Sequence, residues 1–368
     1  MRDSIIDLAW QEPETSTQYR TGVCLHGHTM HSEECLSFLP RYLHHVPGVS
    51  QIVSRYERGP RPVDFARAFW TPPLSPASAL NLEREQIAGL GLRALVSLTD
   101  HDNIEAGMSL QVAVDPHEVP VSVEWTVPYA RSIFHLGIHN LPPQSAREWM
   151  VVMAAYIAAP DETRLPGILS ELAKNPEVLI VLNHPFWLEE GIEEEDHRPA
   201  LDRLLRECVD WLHAFELNGT RCWSENADVL PLAKAHDKPL ISGGDRHVSE
   251  PSACLNLTNA QSFAEFVSEI REGQSSLLFM PHYREPMALR LLEASWDILR
   301  CYPEYPGRER WTDRIFYRSL DGQVRPLSMV WKDRVPWMVR AATGMLQFCA
   351  TSPLRLALRL LAAEQGEI

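Results

Sequence analysis

The sequence predicts an α/β fold, built either as a parallel barrel or as a doubly wound sheet. Short apolar runs rich in Val, Ile and Leu have the composition of buried strands. Segments with apolar residues near helical spacing separate several of these runs. The runs repeatedly end in histidine or carboxylate residues, and in α/β barrels the chemistry lies at the C-terminal ends of the strands.

The predicted strands and helices alternate along the chain, which favours a parallel arrangement. The strands are TGVCLHGH (21–28), LRALVSLTDHD (92–102), VPVSVEW (119–125), SIFHLGIH (132–139), VLIVLNHP (178–185), LHAFELNG (212–219) and KPLISGGDRH (238–247). The helices are 79–92, 200–212 and 264–273.

Composition narrows the class of protein. The formal net charge of -15 argues mildly against nonspecific nucleic-acid binding, which depends on basic surface. Seven cysteines without C-x-x-C spacing, in a chain of 368 residues, predict no disulfide framework and a reducing, cytoplasmic location. Neither a signal peptide nor an apolar run long enough to span a membrane is indicated.

Two segments fall outside the alternating pattern. Residues 37–73 are rich in Pro and Arg, and we expect this insertion to lie on the mouth side of the barrel as a lid or substrate-selecting loop. Residues 286–368 are predicted to form a helical C-terminal extension of a barrel domain that spans 1–285. The extension would pack on the barrel or on a partner subunit, and a helix on a membrane surface is the less favoured interpretation.

Clusters of imidazole and carboxylate groups at strand ends predict a metal site. Alternation along a strand places His26 and His28 on one side, with Gly27 removing bulk between them. A buried strand seldom ends in three ionisable residues such as 100–102 without a reason, because burying unpaired charge is costly. Each cluster alone could be a satisfied core histidine or a helix cap, but their recurrence at successive strand ends favours metal binding.

The quoted residues resemble a known family, the polymerase and histidinol phosphatase (PHP) superfamily. The four sequence motifs of this family match, in order, the segments HGHTMHSEE, TDHD, NHP and GGDRH, and Glu124 and His135 lie between the second and third. The resemblance covers about residues 23–247 and excludes the insertion and the C-terminal region. It implies a distorted TIM-like (β/α)7 barrel with two or three divalent metal ions, Zn, Fe or Mn, in its mouth.

The resemblance also implies a ligand set, carried over position by position. The implied ligands are His26, His28, Glu33, His101, Glu124, His135, His184, Asp245 and His247. Glu33 stands where the family usually has Asp, and His31 is a second candidate for that position. Arg246 replaces a residue that is commonly small, so it would point either toward a phosphate or outward to solvent.

The implied function is hydrolysis of a phosphomonoester, such as a nucleotide or a small phosphorylated metabolite, by a metal-bound hydroxide. His247 or Asp102 would orient or protonate the leaving group, with Arg246 as a candidate phosphate contact, and Asp100 would orient a ligating imidazole. The alternatives are a nuclease acting on nucleic-acid ends and a non-catalytic, metal-stabilised module. The near-complete ligand set argues against the module. The expected partner is a small phosphorylated substrate, nucleic acid is less favoured, and the C-terminal extension offers a route to an oligomer.

Overall fold

The computed structural model describes residues 4–12, 14–37, 64–332 and 334–349. These residues form a mixed α/β fold with three sheets. The strands are β1 Ile5–Leu8, β2 Thr21–Cys24, β3 Glu34–Cys35, β4 Ala68–Trp70, β5 Arg93–Val96, β6 Val121–Tyr129, β7 Ser132–Leu141, β8 Leu179–Asn183, β9 Ala214–Asn218, β10 Leu240–Gly243, β11 Cys254–Thr258, β12 Ser276–Phe279, β13 Ile315–Arg318 and β14 Val324–Pro326.

The helices lie mostly between the strands, as the alternating pattern predicts. They are Pro76–Gly89, Glu105–Leu110, Ala146–Ala158, Leu165–Ala173, Glu194–Cys208, Trp223–Ala235, Phe263–Arg271, Met287–Leu299, Trp311–Arg314, Leu327–Val330 and Trp337–Cys349. Several begin with the expected signals: Ser75 accepts a hydrogen bond from the backbone N–H of Ser78 and is followed by Pro76. No helix in the part of the chain that the structure describes is both long and apolar enough to cross a bilayer.

Two five-stranded sheets carry the predicted strands, in the orders β1-β12-β11-β2-β5 and β10-β9-β8-β7-β6. The pairs β2–β5, β8–β9 and β9–β10 are parallel, whereas β6–β7 and β7–β8 are antiparallel. Every residue of β8 and β9 is buried, so these strands form the centre of the core. Their mostly apolar composition, with no exposed residue, is the pattern of strands covered on both sides.

The described residues show the mixed α/β class but no closed barrel, so the distorted (β/α)7 barrel that the resemblance implies stays a prediction. The two sheets join where segments beyond their strands pair, at the bridges Gly27 with Arg246 and His101 with Glu124. Strands β11 and β12 extend the first sheet beyond β2, and β11 is antiparallel to both β2 and β12. In the second sheet, β7 runs antiparallel to both of its neighbours, β6 and β8. Both bridges nevertheless lie at ligand motifs, so the place where the two sheets join is also where the candidate ligands meet.

The third sheet has the order β14-β13-β4-β3 and joins distant parts of the chain. Strand β4, at the end of the predicted insertion, pairs with β3 of the first motif and with β13 of the C-terminal region. The C-terminal region, which the sequence predicts to be a helical extension, also contributes two strands. The lid role predicted for the insertion falls largely on residues 38–63, which lie outside the described residues.

Candidate metal centre

Several candidate ligands lie just beyond strand ends, where the backbone turns sharply. His26, His184 and Asp245 have positive φ values of 63°, 24° and 50°, and residues other than glycine rarely adopt positive φ. Such conformations cost on the order of 1–3 kcal/mol each and are concentrated at functional sites. The strain is consistent with turns that are held to aim these three side chains at a common centre.

Glu124 of β6 lies at the middle of this centre and is fully buried. Its Oε2 is 2.9 Å from Nε2 of His26 and 3.3 Å from Nε2 of His28. Its Oε1 is 3.2 Å from Nε2 of His184 and 3.5 Å from Nδ1 of His135. The side-chain amide of Asn183 donates to Oε1 at 2.9 Å and fixes the carboxylate. One carboxylate is thereby shared by imidazoles on both sides of it.

Asp245 is the second shared carboxylate. Its Oδ1 lies 3.3 Å from Nε2 of His28, 3.5 Å from Nε2 of His26 and 3.5 Å from Nδ1 of His247. Its other oxygen accepts hydrogen bonds from the hydroxyl of Thr220 at 2.9 Å and the amide of Asn218 at 3.3 Å. The carboxylate is thus oriented with one oxygen toward the imidazoles.

Glu34, rather than the predicted Glu33, is the acidic residue of the first motif that faces the centre. Its Oε2 lies 3.5 Å from Nε2 of His101 and 3.3 Å from Nε2 of His247, and Ser32 donates to its Oε1 at 2.6 Å. The Glu33 side chain is 57% exposed and lies 3.4 Å from Arg318. The physical reason is that neighbours on an extended segment point to opposite sides, and pairing of Glu34 with Trp70 in β4 turns Glu34 inward.

Four overlapping sets of residues have ligand atoms that lie within 4.8 Å of one another. They are His28, Glu34, His101 and His247; His26, His28 and Glu124; His26, His184 and Glu216; and His101, Glu124 and His135. The structure thus brings together every predicted ligand except Glu33, with Asp245 joining through His26 and His28.

Buried polar atoms at this centre have no hydrogen-bond partner within the described residues. They are Nε2 of His26, Nε2 of His28, Oε2 of Glu124 and Nδ1 of His135. Burial lowers the pKa of both His28 and His135 to about 4, so their neutral, metal-binding forms dominate near neutral pH. A buried unpaired donor or acceptor is costly, whereas a cation between these atoms would satisfy all of them. The residues therefore fit divalent metal ions.

Glu216 of β9 is a member of the centre that the sequence motifs do not indicate. Its Oε1 lies 2.6 Å from Nδ1 of His26, and its Oε2 accepts the backbone N–H of His184 at 2.8 Å. One buried carboxylate therefore contacts both the ring of His26 and the backbone of His184, which follows β8. The available signal was a lone carboxylate inside the apolar run LHAFELNG, where an unpaired charge would be costly.

Two predicted roles are corrected by the contacts. Arg246 points neither toward a phosphate nor to solvent: it is buried, and its Nε donates to Glu83 at 2.8 Å. A buried guanidinium needs a counter-charge, and Glu83 on the helix Pro76–Gly89 provides it. Asp100, expected to orient an imidazole, instead accepts both the backbone N–H and the hydroxyl of Thr29. It thereby fixes the turn that follows His28.

The other predicted residues lie around the cluster. Asp102 is exposed beside His101, and its carboxylate accepts the backbone N–H of Thr126 at 2.9 Å. His31 is half-buried and belongs to none of the four sets. The ring of Trp70 lies 6.1 Å from that of His247, so the end of the insertion borders the centre.

Among the solved structures that the chain resembles, three superpose on it only weakly. Neither a known protein family nor a curated protein sequence matches the chain. PsfC from Pseudomonas syringae superposes with a TM-score of 0.35 at 15% identity, over 56% of this chain and 83% of its own. A protein proposed to be a metal-dependent phosphoesterase, from Bifidobacterium adolescentis, gives 0.34 at 15% identity, over 54% and 92%. An amidohydrolase from Chromobacterium violaceum with bound sulfate and no metal gives 0.31 at 16% identity, over 48% and 84%. At TM-scores this low, the assignment of function rests on the residues of this chain.

Proposed function

We propose that this protein is a metal-dependent phosphoesterase that hydrolyses a small phosphomonoester at the cluster around Glu124 and Asp245. The observation that carries the proposal is the set of buried, unpaired imidazole and carboxylate atoms that converge on these two shared carboxylates. Adjacent sites with shared carboxylates are the arrangement that two or more cations need.

The proposed ligands are His26, His28, Glu34, His101, Glu124, His135, His184, Asp245 and His247. Divalent cations held by them would lower the pKa of a water molecule between them and offset the charge of a phosphate. Imidazole and carboxylate together suit Zn, Fe or Mn. Carboxylates lie close to His101: although burial opposes it, Glu124 and Glu34 raise the pKa of His101 to about 9. Negative charge beside this imidazole favours a cation there, and a metal ion would compete with the proton.

Arg221 takes the phosphate-binding role that the sequence suggested for Arg246. Its guanidinium carbon lies 3.6 Å from the centre of the Trp187 ring, and its side chain is 17% exposed. Its Nη2 lies 3.4 Å from Oδ2 of Asp245, so the cation stands directly beside the cluster. A stacked, partly exposed guanidinium is pre-organised to bind a phosphate oxygen. Asp102, exposed beside His101, remains the proposed group that orients or protonates the leaving alcohol.

Replacing Arg221 by Met is expected to raise KM for a phosphomonoester by about ten- to a hundred-fold while the bound metal remains, because one charged hydrogen bond is worth about 1.5–3 kcal/mol. Steady-state kinetics and elemental analysis of the same preparation would measure both quantities. Arg198→Met is a matched control, since Arg198 also stacks on an aromatic ring, that of Phe186, but pairs with the exposed Glu194. An unchanged KM for Arg221→Met would remove Arg221 from the substrate site.

The reaction class can be tested directly on the full chain. Protein saturated with Mn or Zn is expected to release phosphate from small phosphomonoesters, and chelation is expected to stop the release until metal is restored. Single-stranded oligonucleotides with 5′- and 3′-phosphates form the second arm. Release of mononucleotides from those oligonucleotides would assign the nuclease alternative. Full metal occupancy with no turnover in either arm would contradict a phosphoesterase.

A further inference from the structure

The C-terminal region is hydrogen-bonded to the turn that precedes Glu34 and to the loop that follows His247. Arg308 donates from Nη1 to the carbonyl of Met30 at 3.0 Å and to the hydroxyl of Thr71 at 3.0 Å. Met30 lies in the turn between His28 and Glu34, and Thr71 directly follows β4. A single guanidinium from the C-terminal region therefore ties the first motif to the strand that pairs with it.

The strand that carries Glu34 depends on the same region for its sheet. Strand β3 has only two residues, and it pairs with β4, in which Trp70 lies opposite both Glu34 and Ile315 of β13. The backbone N–H of Thr71 also donates to the carbonyl of Arg314 at 2.9 Å. A strand this short has little stability by itself, so its register is set by the sheet that β13 completes.

A second anchor holds the loop after His247. The carboxylate of Asp297, on the helix Met287–Leu299, accepts the backbone N–H of Ser249 at 2.6 Å. Asp297 is buried, and Ser249 stands two residues beyond His247. Because both Glu34 and His247 belong to the same set of four ligand residues, the two anchors act on one subsite.

The members of the other ligand sets that this set of four does not contain are supported from within the two large sheets. Glu124, His135 and Glu216 lie on β6, β7 and β9 themselves. His184 is fixed through its backbone by Glu216. These groups do not require the C-terminal region for their direction, since the long ladders of β6, β7 and β8 define it.

We propose that the C-terminal region completes one metal subsite, formed by His28, Glu34, His101 and His247, and that Arg308 and Asp297 are its positioning residues. This inference rests on the proposed metal centre and adds that one cation depends on contacts outside the two main sheets. The chain would bind its remaining cations without these contacts. Occupation of this subsite would thus report whether the C-terminal region is docked.

The test is the metal content of full-length variants. Arg308→Met is expected to bind one cation fewer than the wild type, or to bind its weakest cation about ten- to a hundred-fold less tightly, as is typical when groups that orient ligands are removed. Asp297→Ala should do the same, whereas Asp297→Asn should not, because the amide oxygen can still accept the Ser249 N–H. Elemental analysis after gel filtration and Co(II) titration would measure stoichiometry and affinity.

Arg271→Met is the matched control. Arg271 likewise donates to backbone carbonyls, those of Ala173, Asn175 and Val178, but at the end of β8 away from His184. The Arg271→Met variant should have a lower free energy of unfolding and should keep every cation. In a Glu34→Ala background, Arg308→Met should remove no further cation, because both changes act on one subsite.

The outcomes separate the inference from the proposed function. A wild-type chain that binds no divalent cation would sink the metal centre itself. A wild type with two or three cations, together with Arg308→Met and Asp297→Ala variants that keep all of them at wild-type affinity, would overturn only the inference. An Arg308→Met chain that fails to fold, while Arg271→Met folds, would also overturn it, since the region would then serve the whole fold.

Discussion

Glu124→Gln is expected to lower kcat for phosphomonoester hydrolysis by on the order of 10³-fold or more, and to release at least one cation. The carboxylate oxygens of Glu124 face His26 and His28 on one side and His135 and His184 on the other. A glutamine retains the size of the side chain but replaces one oxygen with an N–H donor. That donor would point at atoms that must themselves be electron-pair donors to a metal.

The measurement is kcat with metal content determined on the same sample. Glu105→Gln is the control, because Glu105 is an exposed carboxylate with a single arginine partner, Arg147 at 2.8 Å. It should retain both rate and metal. If Glu124→Gln worked at the wild-type rate with a full complement of cations, Glu124 would not be a bridging ligand.

Glu34→Ala is expected to lose one cation and to lower kcat by about a hundred-fold or more, whereas Glu33→Ala should retain both metal and rate. The two residues are adjacent and chemically identical, so the comparison isolates the direction of the side chain. Glu34 lies within 3.5 Å of His101 and His247, while the Glu33 side chain is 57% exposed beside Arg318. An exposed ion pair of this kind contributes at most about 1 kcal/mol.

Elemental analysis and kinetics of the two variants, with circular dichroism to confirm folding, would decide the assignment. Loss of a cation from Glu33→Ala but not from Glu34→Ala would restore the residue that the family resemblance implied. His31→Ala should keep all cations in either case, because His31 belongs to none of the ligand sets.

The positions of most candidate ligands could be predicted from the sequence because they are local. Buried strands are recognisable as short apolar runs, and polar residues that terminate them meet at a common edge whatever the details of the sheet. His26, His28, His101, His184 and Asp245 were identified in this way, and the structure brings them together. The mixed α/β class follows from the same pattern.

The sequence pattern does not determine how the sheets join or that the C-terminal region contains two strands, because both depend on pairing between distant segments. Strand β2 pairs with β11, and the chain beyond β2 meets the residues after β10 at the bridge of Gly27 with Arg246, a pairing of segments far apart in sequence. The strand character of β13 depends on an available partner, which β4 supplies. Short strands are stabilised by such partners more than by their own composition.

The sequence by itself determined which residue types gather at the strand ends, since apolar periodicity and terminal polar groups are properties of each segment. Only the tertiary structure decided which carboxylate and guanidinium groups face the centre. Glu34 replaces Glu33 because a strand has a period of two and its register is fixed by β4. Arg246 is withdrawn from the site because Glu83, distant in sequence, neutralises it in the interior, where an unpaired charge would be too costly.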